Sequence, residues 1–185
     1  MTRGTNARRI QISMGMLLIV SLVVTACGTT KEIKMERNKD LVRRDNEEVW
    51  NKGNLEIMDE LYSADFVRHF LPNGSETKGL EELRDHIRNH RKAFPDWTEE
   101  IKQIVAEGDL VVTHFSSTGT NTGSFLGNSP TGKKIRIDEM SIVRIANGKI
   151  VEQWLLPDLL SLNQQLGLIP SPAPNPNQEK LQVQP

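Results

Sequence analysis

The order of hydrophobic periods along the chain is the feature that most limits its fold. Between Met35 and Phe94 the apolar residues recur mostly at helical spacing, with one short strand, and from Thr98 onward they follow long strands separated by turn signals. Helices followed by a run of strands are typical of an α+β domain, in which helices pack on one face of a sheet. We therefore predict a curved antiparallel sheet packed on N-terminal helices, with a pocket between them for a small molecule.

The element boundaries follow from capping and turn residues. Asn147-Gly148 predicts a tight hairpin turn, and Gly167 ends the last helix. The predicted helices are Met35–Asn51, a short helix capped by Asn54, Gly79–Phe94 and Leu159–Leu166. The predicted strands are Phe66–Leu71, Thr98–Ala106, Leu110–Thr120, Lys134–Ile145 and Lys149–Leu156.

The N-terminus reads as an export signal. A basic stretch ending at Arg9 precedes an apolar run from Ile10 to Ala26, with small residues at its end. The sequence Val24-Thr25-Ala26-Cys27 resembles the lipobox of bacterial lipoproteins, in which the signal is cut before the cysteine and the thiol is acylated. The alternatives are an ordinary signal peptide and an uncleaved anchor, each with a chance cysteine.

These signals divide the chain into four parts. Residues 1–26 are the lipoprotein signal peptide, 27–34 a tether, 35–170 the domain, and 171–185 a proline-rich tail expected to be disordered. Fatty acyl chains such as palmitate on Cys27 are predicted to anchor the exported protein to a bacterial membrane, at its periplasmic or extracellular face.

Charge and motifs exclude several function classes. Lys and Arg number 23 against 24 Asp and Glu, so no nucleic-acid partner is indicated. The chain has no P-loop, dinucleotide fingerprint, CxxC pair, HExxH or GxSxG motif. The spacing of His86 and His90 suits two metal ligands, but no third ligand follows and neighbouring arginines oppose a cation. We predict an exposed basic helix face there, with no metal and no cofactor.

Asp158 is the first candidate for chemistry. It follows the last strand and has apolar neighbours on both sides, from Trp154 to Leu160. A desolvated carboxylate has a raised pKa, as a general acid/base requires. Asp158 also fits as the N-cap of the last helix, since Pro157 breaks the strand just before it. The two roles are compatible.

Further candidates are aromatic and imidazole side chains. His69 and His114 lie at alternating strand positions that could line the pocket, although each also fits as a structural histidine. Trp97 and Trp154 could form a pocket wall. Arg144 and Glu152 face each other across the Asn147-Gly148 hairpin and predict an ion pair.

Three stretches together resemble the SnoaL-like polyketide cyclases, or ester cyclases, of the NTF2-like superfamily. Their order and spacing carry the likeness, which covers about residues 35–170. They are Phe94-Pro95-Asp96-Trp97 with Ala106 to Val112, then Thr118 to Gly123 with Phe125 to Lys134, and finally Gly148 to Trp154 with Asp158 and Gln165-Leu166-Gly167.

The resemblance implies a cone-like α+β fold with a deep pocket, cofactor-independent chemistry and, often, a homodimer. It implies that Asp158 is the acid/base of an aldol-type ring closure. Family members often carry histidine where this chain has Asn121 and Gln153. These two residues can hydrogen-bond a substrate carbonyl, but neither can transfer a proton at neutral pH.

Three functions follow as hypotheses. The first is a membrane-tethered cyclase, or related proton-transfer enzyme, acting on a small hydrophobic carbonyl compound, which the presence of Asp158 favours. The second is a non-catalytic lipoprotein that binds a small apolar ligand or a partner, which Asn121 and Gln153 favour. The third is an epoxide hydrolase, which needs two carboxylates and an arginine; its candidates are Asp138, Asp158 and Arg144.

Overall fold

Helices cover one face of a six-stranded sheet in the computed structural model, which describes residues 30–171. The α+β prediction is confirmed. The helices are α1 (30–45, continued by a π-helical turn at Asn46–Asn51), α2 (Met58–Leu61), α3 (Leu80–Ala93) and α4 (Leu159–Leu166). The strands are β1 (Tyr62–Phe70), β2 (Ser75–Lys78), β3 (Thr98–Glu107), β4 (Leu110–Thr120), β5 (Lys134–Ala146) and β6 (Lys149–Pro157).

The sheet is mixed and open, with the order β2-β1-β6-β5-β4-β3. Strands β3 to β6 form antiparallel pairs, as predicted, but β1 pairs in parallel with β6, so the expectation of a wholly antiparallel sheet is wrong. Asn147 and Gly148 both have positive φ, 52° and 74°, which is the geometry of a tight hairpin turn between β5 and β6. Strand β2 was missed because its four residues are polar and lack an apolar alternation.

The helix α1 begins earlier than predicted within the described part of the chain. Residues 30–34, assigned from the sequence to a tether, are helical. The predicted signal peptide, Cys27 and the tail from residue 172 lie outside the described residues. Among residues 30–171, no helix is both long and apolar enough to cross a membrane.

Two apolar clusters hold the helices on the sheet and leave space between them. The larger cluster joins α1, α2 and α3 to the inner faces of β1, β4, β5 and β6, and includes the fully buried Leu83 and Ile87. The smaller one joins the end of α3 to β5 and α4 through Phe94, Ile135 and Leu166. Because helical and strand side chains interlock at both clusters, the groups between them are held by rigid elements.

Candidate active site

A cavity of about 500 Å³ opens between the helices and the inner face of the sheet. Its lining is mostly apolar, and the loop after β4 contributes Phe125 and Leu126. Volume and lining are those of a small-molecule site. The other apolar lining residues come from α1, α4 and five strands: Val42, Phe70, Ile101, Phe115, Ile137, Val143, Leu155, Leu159 and Leu162.

Glu99 of β3 and Glu139 of β5 bring two carboxyl groups into this apolar space. Trp97 Nε1 and Asn46 Nδ2 donate hydrogen bonds to the two oxygens of Glu99, at 3.1 and 2.8 Å. Ser117 Oγ donates to Glu139 Oε1 at 2.5 Å. Burial raises the pKa of both carboxyls, and the charge of Glu139 helps to raise the pKa of Glu99 to about 8. The pair can therefore hold a proton at neutral pH.

A third carboxyl group, Asp45 of α1, also lines the cavity and lies beside Tyr62. The Tyr62 hydroxyl donates a hydrogen bond to Asp45 Oδ1 at 2.6 Å, and both residues are buried. Burial raises the pKa of Asp45 to about 7, although the Tyr62 hydrogen bond and the charge of Arg68 oppose the change. Burial likewise raises the pKa of the Tyr62 hydroxyl. Asp45 thus adds to the acid groups of the site.

Arg68 supplies a buried positive charge from β1. It is only 6% exposed, and its guanidinium carbon lies 5.2 Å from the centroid of the Trp50 ring. Its Nε has no hydrogen-bond partner, and no carboxylate among residues 30–171 lies within 4.0 Å of its nitrogens. Burial lowers the pKa of Arg68 from its usual value, and the charge of Glu139 most strongly opposes this. Arg68 is therefore a cation without a bound counter-ion in the described part of the protein.

His86 and His90 on α3 line the same cavity. The prediction of an exposed helix face is confirmed for His86, which is exposed, and is wrong for His90. Part of His86 remains accessible to solvent, whereas both ring nitrogens of His90 are buried without a hydrogen-bond partner among the described residues. The His90 ring contacts the edge of Trp97, with centroids 4.3 Å apart. Burial, with a further effect of Arg68, lowers the pKa of both rings, that of His90 to about 4. Both histidines are neutral at pH 7.

Within residues 30–171, no group of three or more His, Cys, Asp or Glu side chains is arranged to hold a metal ion. The carboxyls and imidazoles of the cavity are spread over its walls on α1, α3, β3 and β5. Their contacts are with protein donors and aromatic rings, as described above. The cavity is thus bordered by proton donors and acceptors on several walls.

Two of the residues predicted from the sequence reach this cavity. Trp97 and Gln153 are both buried and both line it. Gln153 lies on β6, whose other cavity-facing residues are Leu155 and Pro157. The last strand therefore brings no ionisable side chain into the cavity.

His69, Trp154 and His114 lie on the opposite face of the sheet. His69 contacts Glu76 and Glu152 at 3.1 and 2.9 Å and stacks on Trp154, with ring centroids 5.3 Å apart. His114 Nε2 is 3.7 Å from Asp138 Oδ1. None of these three residues lines the cavity, because each lies between two residues of its strand that point inward. On β1, for example, Arg68 and Phe70 point inward, so His69 points outward.

Asn121 is buried but serves the loop after β4 rather than the cavity. Its Oδ1 accepts from Thr131 N at 2.9 Å, and its Nδ2 donates to Gly123 O at 2.9 Å. Its backbone N–H also donates to the Lys133 carbonyl, and its backbone carbonyl accepts from the Gly132 N–H. Asn121 therefore closes the base of the loop that carries Phe125, and it is not among the residues that line the cavity.

Asp158 caps α4, as the alternative interpretation proposed. Its Oδ1 accepts a hydrogen bond from Ser161 N at 2.9 Å. Its side chain is exposed, so the prediction of an apolar environment for it is wrong, and only its neighbours Pro157 and Leu159 line the cavity. Asp158 lies where β6 gives way to α4, and there the chain turns its side chain to solvent.

The epoxide-hydrolase candidates also lie outside. Asp138 is 68% exposed, and Arg144 pairs with Glu152 at 3.0 Å, which confirms that predicted ion pair. Glu139, the neighbour of Asp138 on β5, points inward instead and lines the cavity.

The comparisons with known proteins agree with this architecture. Residues 40–166 match the SnoaL-like polyketide cyclase family. The chain belongs to this family. It is 28% identical over 145 residues to aklanonic acid methyl ester cyclase DnrD of Streptomyces peucetius, across 77% of this chain and 97% of that protein.

Solved structures of the family superpose on most of the chain. AclR of Streptomyces galilaeus, a proposed hydroxylase, gives a TM-score of 0.68 at 27% identity and covers 80% of this chain and 92% of its own. IdmH of Streptomyces antibioticus, a proposed polyketide cyclase, gives 0.63 at 30% identity, with 70% and 98% covered. The two names describe different reactions, so membership of the family does not determine the activity of this SnoaL-like protein. That activity has to be inferred from the residues of its own cavity.

The missed cavity residues had signals in the sequence. Glu139 interrupts the alternating series Ile135, Ile137, Ser141, Val143 and Ile145. Similarly, Arg68 stands between Phe66 and Phe70, and His90 continues the helical spacing of Leu83, Ile87 and Phe94. A polar residue within an otherwise apolar stripe faces the interior with its neighbours.

Proposed function

We propose that this SnoaL-like protein is a cofactor-independent acid/base catalyst that closes a ring, or moves a proton, on a small hydrophobic carbonyl compound. The observation that carries the proposal is the Glu99–Glu139 pair, two carboxyl groups with raised pKa in an apolar cavity. An acid/base group works best when its pKa lies near the operating pH. The name of DnrD as an ester cyclase supports the same reaction class.

The proposed ring closure uses the pair as base and acid in one step. The ionised carboxyl removes a proton from a carbon next to a carbonyl group. The electrons of that C–H bond form a new C–C bond to a second carbonyl carbon, whose π electrons move to its oxygen. The protonated carboxyl then gives its proton to that oxygen. One proton is taken and one is given, so the charge of the pair is unchanged.

Trp97 and Gln153 hold the substrate in this proposal. The Trp97 ring forms a flat apolar wall, and its Nε1 is already committed to Glu99. The Gln153 amide donates a hydrogen bond to a substrate carbonyl but takes no part in proton transfer. Both roles place the reacting carbons near the carboxyl pair, which lies in the same cavity.

Proton abstraction can be tested before the natural substrate is known. The probe is 2-tetralone, whose C1 protons are made acidic by both the ring and the carbonyl. In D₂O, proton NMR follows the loss of these signals with the full-length chain. We expect the wild-type protein to speed exchange, and Glu99→Gln or Glu139→Gln to slow it by about 100-fold, the usual scale of general acid/base catalysis.

Glu152→Gln is the matched control for these two variants. Glu152 is a carboxylate on the outer face, bound to His69 and Arg144, and its loss should leave the exchange rate unchanged. Equal loss in all three variants would contradict the proposal. Binding of 2-tetralone without any exchange would favour the non-catalytic binding protein instead.

Hydrolysis of an epoxide is a second candidate, favoured because Arg68 shares the cavity with Glu99 and Glu139. One carboxylate takes a proton from water while the water oxygen attacks an epoxide carbon. The C–O bond at that carbon breaks, and the protonated carboxyl supplies the proton for the leaving oxygen, giving a diol. Formation of phenylethanediol from styrene oxide, without exchange of 2-tetralone, would select this reaction.

We also propose that the protein is tethered to a bacterial membrane through acyl chains on Cys27. The basic stretch, the apolar run and the lipobox-like residues before Cys27 support this. Cys27→Ser should abolish the mass increase from acylation and release the protein from the membrane fraction. Unchanged processing and membrane association in this variant would contradict the tether.

A homodimer through the outer face of the sheet is proposed as well. Exposed Met140, Ile142 and Leu156 lie side by side there on β5 and β6. Met140→Lys should halve the mass seen by light scattering if this face forms the contact. A wild-type protein that is already monomeric at high concentration would rule the contact out.

A further inference from the structure

Among the described residues, the polar groups of the cavity that lack partners include the Nε–H donor of Arg68. Arg68 is almost fully buried, its Nε has no acceptor, and no carboxylate among residues 30–171 forms an ion pair with it. Its guanidinium carbon lies over the face of Trp50, 5.2 Å from the ring centroid. A buried guanidinium without an acceptor lowers the stability of the fold, which indicates that it has a functional role.

The acceptors of the cavity, in contrast, already have donors. Asp45 accepts from Tyr62, Glu99 from Trp97 and Asn46, and Glu139 from Ser117. These bonds are direct and short, from 2.5 to 3.1 Å. Each of the three carboxyl groups therefore has a donor other than Arg68, whereas Arg68 Nε has no acceptor among the described residues.

His90 adds to this imbalance from the opposite wall. Both of its ring nitrogens are buried and without partners among the described residues, and Arg68 lies close enough to lower its pKa. The neutral ring offers one N–H donor and one acceptor nitrogen. Trp50 contacts both groups, with its ring 5.2 Å from the Arg68 guanidinium carbon and 6.5 Å from the His90 ring. Arg68, Trp50 and His90 thus form one polar and aromatic corner, which we call the Arg68 corner.

We propose that the substrate is an organic carboxylate, whose acid group binds in the Arg68 corner while its apolar body fills the rest of the cavity. The planar guanidinium donates to the two carboxylate oxygens, and the His90 N–H donates to one of them. The rings of Trp97 and Phe125, both in the cavity wall, contact the apolar body. This inference rests on the proposed function, in that the cavity is taken as the substrate site.

The charges of the corner select an anion over a cation. Glu99 and Glu139 retain a proton more readily than ordinary carboxyls, and no carboxylate among residues 30–171 lies within 4.0 Å of the Arg68 nitrogens, so the charge of Arg68 has no counter-ion in contact. A carboxylate supplies both the missing charge and the missing acceptors. A substrate ammonium group would face Arg68 across the same cavity and would leave every unpartnered donor unsatisfied.

Binding of a matched pair of probes tests the inference without turnover. The probes are 2-naphthoate and 2-naphthamide, which have the same fused rings and differ in one group: a charged carboxylate with two acceptor oxygens, or a neutral amide with one acceptor oxygen and an NH2 donor. We expect the full-length chain to bind naphthoate at least about tenfold more tightly, since a charge-assisted contact is about twice as strong as a neutral one. Titration calorimetry at pH 7 with a protein-free blank gives both affinities.

Variants of Arg68 then test whether this residue causes the preference for naphthoate. Arg68→Met should reduce the preference for naphthoate to about twofold or less, and Arg68→Lys should retain part of it as a point charge. Arg144→Met is the matched control, because Arg144 also lies over a tryptophan, Trp154, at 5.4 Å, but on the outer face. It should keep the full preference.

Three results would overturn the inference. They are equal affinity of the wild-type protein for the two probes, no binding of either probe, and tighter binding of (naphthalen-2-yl)methylammonium than of naphthoate. Exchange of 2-tetralone that persists alongside any of these results would leave the proposed function standing. Selective naphthoate binding without exchange would support the anion site and reject the catalytic proposal.

Discussion

The two faces of the sheet each hold an arginine over a tryptophan, and the two pairs differ in their partners. On the inner face, Arg68 lies 5.2 Å from the centroid of Trp50 and has no ion pair among the described residues. On the outer face, Arg144 lies 5.4 Å from the centroid of Trp154 and is paired with Glu152 at 3.0 Å. The outer pair is complete without a ligand, whereas the inner pair lacks an acceptor.

The histidines repeat this difference. His69 on the outer face contacts two carboxylates, Glu76 and Glu152, while His90 on the inner face has no hydrogen-bond partner in residues 30–171. Solvent and neighbouring charges satisfy a polar group on the outer face at little cost. On the inner face, Arg68 Nε and both ring nitrogens of His90 are buried and have no hydrogen-bond partner among the described residues, so these groups indicate a ligand site.

Replacement of the two arginines by methionine gives the largest expected contrast in stability. Arg68→Met should raise the free energy of unfolding by about 1–3 kcal/mol at pH 6, because an unpaired buried charge is replaced by an apolar side chain of similar length. Arg144→Met should lower it by less than about 1 kcal/mol, since only a surface pair is lost. Urea unfolding measures both. A loss of stability in Arg68→Met larger than in Arg144→Met would show that attraction to the cavity carboxyls outweighs desolvation.

Removal of one hydroxyl from each face gives the next contrast. Tyr62→Phe leaves the buried Asp45 without its hydrogen bond and should cost about 1–3 kcal/mol. Thr118→Val removes the exposed Thr98–Thr118 hydrogen bond on the outer face and should change stability by less than about 0.5 kcal/mol. Denaturant midpoints with unchanged slopes compare the two. Similar costs for both variants would remove the distinction between the faces.

Buried carboxyl groups on the inner face of the sheet should make the stability depend on pH between about pH 4.5 and 8. The pKa of Glu99 is raised to about 8 in the folded protein, from an ordinary value near 4.5, so the folded state keeps a proton that the unfolded state has lost. The stability from this group is complete below about pH 4.5 and is lost as pH rises toward 8. Asp45, with a pKa of about 7, acts in the same direction.

Above pH 6.5, His86 and His90 no longer change the stability with pH, because their contribution is then fully present. Their folded pKa values are lowered, so their stabilising effect is lost only as pH falls below 6.5. Between pH 6.5 and 8, Glu99 alone should therefore remove about 1–2 kcal/mol of stability. Glu99→Gln should flatten this decline, and Glu152→Gln on the outer face should not. A wild-type curve that is flat across the window would contradict the raised pKa.

The boundaries of most elements were accessible from the sequence, because local signals set them. The alternation of Ile135 to Ile145 and the Asn147-Gly148 turn predict β5 and its hairpin almost to the residue. The parallel pairing of β1 with β6 was not accessible, since residues about 85 apart, such as His69 and Trp154, meet there with no local signal.

The site was harder to predict than the fold because sequence neighbours are not spatial neighbours. Asp158 is surrounded by apolar residues in the sequence, yet the chain turns at the start of α4 and exposes it. Glu99 has charged or polar residues on both sides, Thr98 and Glu100, yet it points inward to Asn46 and Trp97. The alternation of side chains along β3 decides which face of the sheet Glu99 occupies. Its protonation then depends on the residues around it in the cavity, which are not all its neighbours in the sequence.

The exchange rates of Glu139→Gln and Asp158→Asn, measured side by side with 2-tetralone, test the central claim most directly. Both changes turn a carboxylate into its amide, and Asn keeps the helix cap at position 158. We predict about a 100-fold loss in Glu139→Gln, the scale of a lost acid/base group, and no loss in Asp158→Asn. Loss in Asp158→Asn with full activity in Glu139→Gln would contradict the assignment of the chemistry to the cavity pair.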